Sequence, residues 1–328
     1  MLYVGMSVVI YVVLDRYSFR SVPADSVLLP LVGDVWLLLQ VPLSVLLCLL
    51  LLVSVAPTSL GADLLSNIGP ELKGFHGYGE IVAASAVVGF HLSTNFVVAH
   101  ELMHRPGKFW KSCSRLLLMM FGDAQFQEAH IFGHHANVGT PRDPATARRG
   151  EPLYGFVIRS TIGQWKEAYA YEGNRLRRRR WLERLAENRV LRGNIGSLLL
   201  FVGVEIFFGL VGLLSYVIVA GTAKLLLEAI NYIQHYGLVR HKGVRNNASY
   251  SWESDGLGSS LILFNLTRHS QHHQKPLLSC GRLEHCSHSP QLRGGYMLTL
   301  LICFVPKLWF RTVHPAIDQL EQVRGSPQ

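Results

Sequence analysis

Apolar residues in this 328-residue chain gather into long runs at 1–14, 35–56, 79–99 and 197–235. A helix needs about 20 apolar residues to cross a bilayer. The second and third runs meet that length. The fourth is long enough for two crossings, with a break expected near Gly221 or within Leu213–Tyr216. The first run is short for a crossing. It has no basic flank and no small-residue cleavage site, so it does not read as a targeting signal. It is expected to be the second half of a hairpin whose first helix is absent. Runs 112–122 and 296–310 are too short to cross and suit interfacial or re-entrant helices. No internal repeat or low-complexity tract interrupts the pattern. The expected fold is an all-α, polytopic membrane helical bundle forming one domain over residues 1–328.

Composition agrees with that reading. Charged residues make up 16% of the chain, against about 25% in soluble domains, and mean hydropathy is +0.24. The net charge is +9, concentrated in places such as the Arg175–Arg184 run. Loops on the cytoplasmic side of a membrane are rich in Lys and Arg, so the run reads as a topology signal rather than a nucleic-acid site. Five cysteines, odd in number, scattered and without a CxxC pair, argue against a disulfide framework. Cys280 and Cys286, near His285 and His288, read as loop residues.

Nine of the fifteen histidines form four clusters, each at or beside the end of an apolar run. They are His100 and His104; His130, His134 and His135; His235; and His269, His272 and His273. Counting crossings puts all nine on one face. That face carries Arg105, Lys108, Lys111, Arg148 and Arg149, so it is expected to be cytoplasmic, with the N-terminus outside. Imidazole is the commonest protein metal ligand and suits iron, zinc and copper. Burying repeated imidazoles without partners is costly. Nine exceed what one first-row ion takes, so two metals are expected. Residues i and i+4 share a helix face, so His100 and His104 can chelate one ion. His130 and His134 can do the same, with His135 turned toward a neighbour, as can His269 with His272 or His273. Partners for the second imidazole nitrogens are sought among Glu101, Glu128, Asp143, Glu228, Gln234, Glu253, Asp255, Asn265 and Gln271. His100-Glu101-Leu-Met-His104 also fits the zinc-peptidase pattern HExxH. The three further clusters argue against that alternative.

The segments HELMHR (100–105), HIFGHH (130–135), NYIQHYGL (231–238) and NLTRHSQHH (265–273) resemble the integral-membrane alkane 1-monooxygenases of the fatty acid desaturase-like superfamily. TPRDPATARRGEPLYGFVIRSTIGQW (140–165) and SYSWESD (249–255) are similar too, and the resemblance runs from about residue 79 to 311. It implies a non-haem di-iron hydroxylase with all nine histidines as ligands, converting a medium- or long-chain alkane to a 1-alkanol with dioxygen. The near alternatives are the xylene-type aryl-methyl hydroxylases and the fatty-acyl desaturases, which lack the NYxxHYG element. An apolar substrate would enter from the membrane lipid, its depth set by bulky residues such as Trp36, Phe90 and Phe96. No flavin, haem or CxxC motif is present, so electrons must come from outside. The resemblance implies a rubredoxin-type donor with its reductase, an acidic partner that a basic face would steer. Three positions depart from the family: Ala129, Gln234 and Gln271 stand where it carries carboxylates. If those acids hold ligand imidazoles, the metals here are held more weakly.

Overall fold

A computed structural model of the chain describes residues 2–17, 28–55, 75, 77–241, 243–292 and 294–325. The helices that matter are α1 (Leu2–Leu14), α2 (Leu28–Val55), α3 (Tyr78–Leu92), α4 (Thr94–His104), α5 (Lys108–Met120), α6 (Leu153–Arg175), α7 (Trp181–Glu187), α8 (Arg189–His235), α9 (Leu257–Ile262), α10 (His269–Gln274), α11 (Tyr296–Ile302) and α12 (Pro306–Gly325). Among the described residues the only β pairing is an isolated bridge between Glu253 and Gln291. Among the described residues three stretches are long and apolar enough to cross a membrane: Gly33–Val55, Tyr78–His104 and Arg189–His235. Helix is what such sequences must adopt in lipid, where every backbone polar group needs an internal partner. The all-helical membrane fold expected from the apolar pattern is therefore the one found.

Contacts divide the chain into two units. The first comprises Met1–Val4, Leu31–Gln127 and Glu172–Leu226. Here α3 and α4 run on through Ser93 as one span ending at His104. A buried hydrogen bond from Asn95 Nδ2 to Ser44 Oγ (2.7 Å) ties α4 to α2. Gly89 lets α3 approach α8 closely, since a Cβ there would lie 2.7 Å from the Val219 carbonyl. Phe96 is buried against Phe121 and Phe126, at centroid distances of 4.9 and 6.4 Å, and Trp36 is exposed.

The long fourth run breaks earlier than its sequence suggests. Gly209 takes φ 68° and ψ −176°, while Gly221 and Leu213–Tyr216 are helical. Only glycine adopts that conformation without steric cost. Beyond it the chain bends back. The rings of Phe201 and Tyr216 meet at 5.1 Å, although 15 residues of straight helix would separate them by about 22 Å. The expected two-legged structure is present, with its corner moved to the glycine that follows two phenylalanines.

The second unit comprises Gly5–Pro30, Glu128–Tyr171 and Leu227–Gln328. Asp15, just past α1, accepts the backbone N–H groups of Ser259 (2.6 Å) and Met297 (2.9 Å), capping the first turns of α9 and α11 with one carboxylate. The end of α8 is caged. Tyr232 Oη donates to the Glu151 carbonyl (2.7 Å), Tyr236 Oη accepts from Gly150 N (2.7 Å), and Trp252 Nε1 donates to the Tyr236 carbonyl (2.9 Å). Arg240 donates to the Val138 and Ala136 carbonyls (2.7 and 2.8 Å), holding the loop that follows the second histidine cluster.

Candidate metal centre

The second unit contains seven of the nine histidines, sorted into two sets by an unusual turn. Residues Ala129–His134 wind as a π-helix, with single α turns on either side. In a π-helix the hydrogen bonds run from i to i+5, so His130 shares a face with His135 rather than His134. Their Nε2 atoms lie 3.0 Å apart, and His272 Nε2 lies 3.2 Å from that of His135. His134 faces the other way. It joins His235, His269 and His273, with the His269 Nε2 atom 3.0 Å from both His235 Nε2 and His273 Nε2. Within each set the ligand nitrogens lie within 4.8 Å of one another. The expected pairing of His130 with His134 is thus reversed, because α periodicity does not hold there. On α10, His269 and His273 form the i, i+4 pair while His272 serves the other set. In the first unit, His100 and His104 sit one turn apart at the end of α4, with rings 5.1 Å apart and nitrogens within the same reach.

Proton placement shows what the four-histidine set can do. His235 Nδ1 faces the Tyr250 carbonyl at 3.0 Å. A carbonyl only accepts, so the imidazole proton sits on Nδ1 and Nε2 presents a lone pair. His134 Nδ1 lies 2.8 Å from Asp143 Oδ2, which fixes the same tautomer there. Burial raises the Asp143 carboxyl, but the His134 imidazole and the Thr146 hydroxyl outweigh it, so it ionises below the usual carboxylate range. Burial and the surrounding imidazoles push His273 well below an ordinary histidine. Imidazole nitrogens brought to about 3 Å of one another with lone pairs facing repel unless a cation sits between them. The donor set therefore fits a transition metal, and imidazole-only ligation suits iron, zinc or copper.

Of the nine candidates for second-nitrogen partners, Asp143 is seen holding a candidate ligand imidazole, that of His134. Gln271 instead bonds Glu284, Gln234 donates to the Leu266 carbonyl (3.4 Å), and Asn265 donates to the Cys280 carbonyl (3.0 Å). Glu253 pairs with His285 (3.2 Å) and accepts from Cys286 N (2.6 Å), so that loop is organised as an ordinary loop. Glu228 accepts from Gln164 (2.9 Å). Two features escaped the sequence reading. The Tyr250 carbonyl has no side-chain signature, although its SYSWESD segment carries family resemblance. Glu167 lies beside the π-helix, where a Cβ on Gly133 would approach its Cδ to 2.2 Å. Burial and the neighbouring Asp143 charge push Glu167 up to about 7.

The model of the fatty acid desaturase family matches residues 80–301. The chain belongs to that family. It is 34% identical over 244 residues to alkane 1-monooxygenase 1 of Pseudomonas aeruginosa, covering 73% of this chain and 63% of that protein. It is 35% identical to alkane 1-monooxygenase 1 of Alcanivorax borkumensis, covering 71% and 59% respectively. The xylene/toluene monooxygenase hydroxylase component of Pseudomonas putida is 31% identical, with 70% and 62% covered. The chain thus spans about three-fifths of the length of the relatives it matches.

Proposed function

We propose that the chain is the catalytic part of a membrane non-haem di-iron monooxygenase that hydroxylates the terminal C–H bond of a medium- or long-chain alkane. The balanced reaction is R–CH3 + O2 + 2 e− + 2 H+ → R–CH2OH + H2O. His100, His104, His130, His134, His135, His235, His269, His272 and His273 are the proposed ligands, shared by two irons. The observation that carries this reading is the convergence of buried imidazoles, two of them oriented through Nδ1 by Asp143 and the Tyr250 carbonyl, together with similarity to alkane 1-monooxygenases. Bound iron supplies dioxygen activation and redox change. The chain supplies orientation: Asp143 and the Tyr250 carbonyl hold two imidazoles with Nε2 inward. It also supplies dryness, because Tyr232 and Tyr236 are fully buried around His235. No internal redox motif is present in the sequence, so electrons are proposed to arrive from a rubredoxin-type donor with its reductase. The metal-bearing face is proposed to be cytoplasmic, at the cell inner membrane.

Iron content of the purified protein, then products from alkanes, aryl-methyl compounds and fatty-acyl chains with an added carrier, test this. Two irons per chain and 1-alkanol are expected. A single zinc, or turnover with NADH and no carrier protein, would overturn it. The second reading is an acyl desaturase, favoured by the family model itself. Formation of alkenyl chains without alcohol would select it.

A further inference from the structure

We propose that the first unit binds an anionic glycerophospholipid, with its phosphate in a basic pocket and one acyl chain in an apolar groove beside it. The pocket has a volume of about 620 Å3 and joins α5 to the start of α8. Lys108, Lys111 and Arg115 stand at i, i+3 and i+7 of α5, so they share a face. Arg189 and Arg192 face them from α8. Arg189 is engaged by Glu172 at 2.6 Å, and Arg115 donates to the Arg189 carbonyl at 3.2 Å. Lys108, Lys111 and Arg192 have no acidic partner among the described residues, leaving three cations around one concavity.

Its depth is that of a headgroup. One candidate span ends at His104, four residues before Lys108, and another begins at Arg189. Between them α5 exposes Phe109 (60%) and Leu116 (54%) beside its basic face, the pattern of a helix lying in the membrane interface. The groove, of about 310 Å3, lies further along α8 and is lined by α2, Leu200, Gly203, Val204 and Phe207. Arg189, Gly193, Leu200, Val204 and Phe207 recur at spacings of 3, 4 and 7, so pocket and groove occupy one stripe of the helix. Arg192 and Leu199 are about 10 Å apart at 1.5 Å per residue. A phosphate at the first position therefore sets a chain into the second. A soluble acidic protein would satisfy the cations but leave the groove unexplained.

The test is native mass spectrometry of the full chain in neutral detergent, with phosphatidylglycerol, phosphatidylcholine of the same chains, and glycerol phosphate as probes. One phosphatidylglycerol should bind at least tenfold tighter than phosphatidylcholine. Lys108→Gln/Lys111→Gln/Arg192→Gln should weaken it about a hundredfold, and each single change about fivefold. Gly203→Leu, which fills the groove, should remove the preference for long chains over short ones. Circular dichroism matching the wild type checks folding, and the singles carry the test if the triple variant is unstable. Equal binding of the two lipids, glycerol phosphate matching the lipid, or undiminished binding by the variants would overturn the proposal. So would variants that keep their lipid preference yet lose only carrier-dependent turnover, which would assign the pocket to a protein partner.

Discussion

The two histidine sets of the second unit share the π-helical turn and α10 yet differ in burial and in how their imidazoles are held. His134, His235, His269 and His273 are all buried, come from three separate segments, and include the end of a spanning helix. Two of their imidazoles are locked, by Asp143 and by the Tyr250 carbonyl. His130, His135 and His272 offer three nitrogens, with His135 half-exposed. A single residue step on the π-helix, from His134 to His135, separates the two. The quartet lies wholly within the second unit and is buried throughout, whereas the other set includes the half-exposed His135. The difference teaches that two histidine sets drawn from shared segments need not receive the same support from the protein. Any metal bound by the quartet should depend on a few buried polar contacts.

The largest effect is expected from His235→Ala. It removes one of the four proposed ligands of the buried set and leaves a buried polar void. Iron should fall to one per chain or less and alcohol formation should cease, while the helical content measured by circular dichroism stays. His272→Ala should leave the quartet's iron in place. If both variants retain the same iron, the quartet is not the better-built site and the comparison breaks. Asp143→Asn comes next. Its amide keeps the shape but loses the carboxylate that accepts from His134 Nδ1. Loss of such a partner typically lowers metal affinity 10–100-fold, and a chelator titration followed by iron analysis reads it.

Thr146→Val probes the same lock one bond further out. Its hydroxyl donates to Asp143 Oδ2 at 2.6 Å and accepts from Gly139 N at 2.9 Å. Leaving those buried groups unpaired costs about 1–3 kcal/mol. A pH signature accompanies the loss. The Asp143 carboxyl ionises below its usual range in the fold, so it contributes stability above its unfolded value that disappears as pH falls through the folded one. Without the Thr146 donor the folded value rises, and the acid unfolding midpoint of the metal-free protein should move to higher pH. An unmoved midpoint would remove Thr146 from the lock.

Much of this was legible in the chain. The spans follow from runs of Leu and Val, and the histidines from their clustering at run ends. What was not legible has physical reasons. His130-Ile-Phe-Gly-His134-His135 reads as α-helical from its spacing, and nothing in those residue types announces a π turn. Gly133 shows why the turn fits there only once Glu167 is seen lying against it. The corner at Gly209 was missed because five other glycines occupy the same helix, and only backbone conformation separates 209 from 193, 196, 203, 212 and 221. Asp143 stood as one among nine polar candidates, because sequence distance carries no information on which carboxylate folds back onto which ring. The Tyr250 carbonyl is a backbone group, invisible to any reading of side chains.

The smallest effect is expected at Gln271, and it sharpens the comparison from the opposite side. This residue stands between ligand candidates, and the family resemblance places a carboxylate there. A missing acid beside imidazoles would mean a weaker metal. In the fold, however, Gln271 turns to Glu284: its Nε2 donates to Glu284 Oε2 at 3.4 Å, and its Oε1 accepts from the Glu284 backbone N–H. Both contacts are exposed. Gln271→Asp would bring two carboxylates together at the surface, where like charges cost little because water and salt screen them. Iron affinity should change by less than about twofold, against the 10–100-fold expected at Asp143. A large gain on Gln271→Asp would show that an acid at this position does reach an imidazole, and that the support of the trio lies on α10. Equal insensitivity at Asp143 and Gln271 would instead mean that neither carboxylate position governs metal binding, and that the buried imidazoles hold the ion without help.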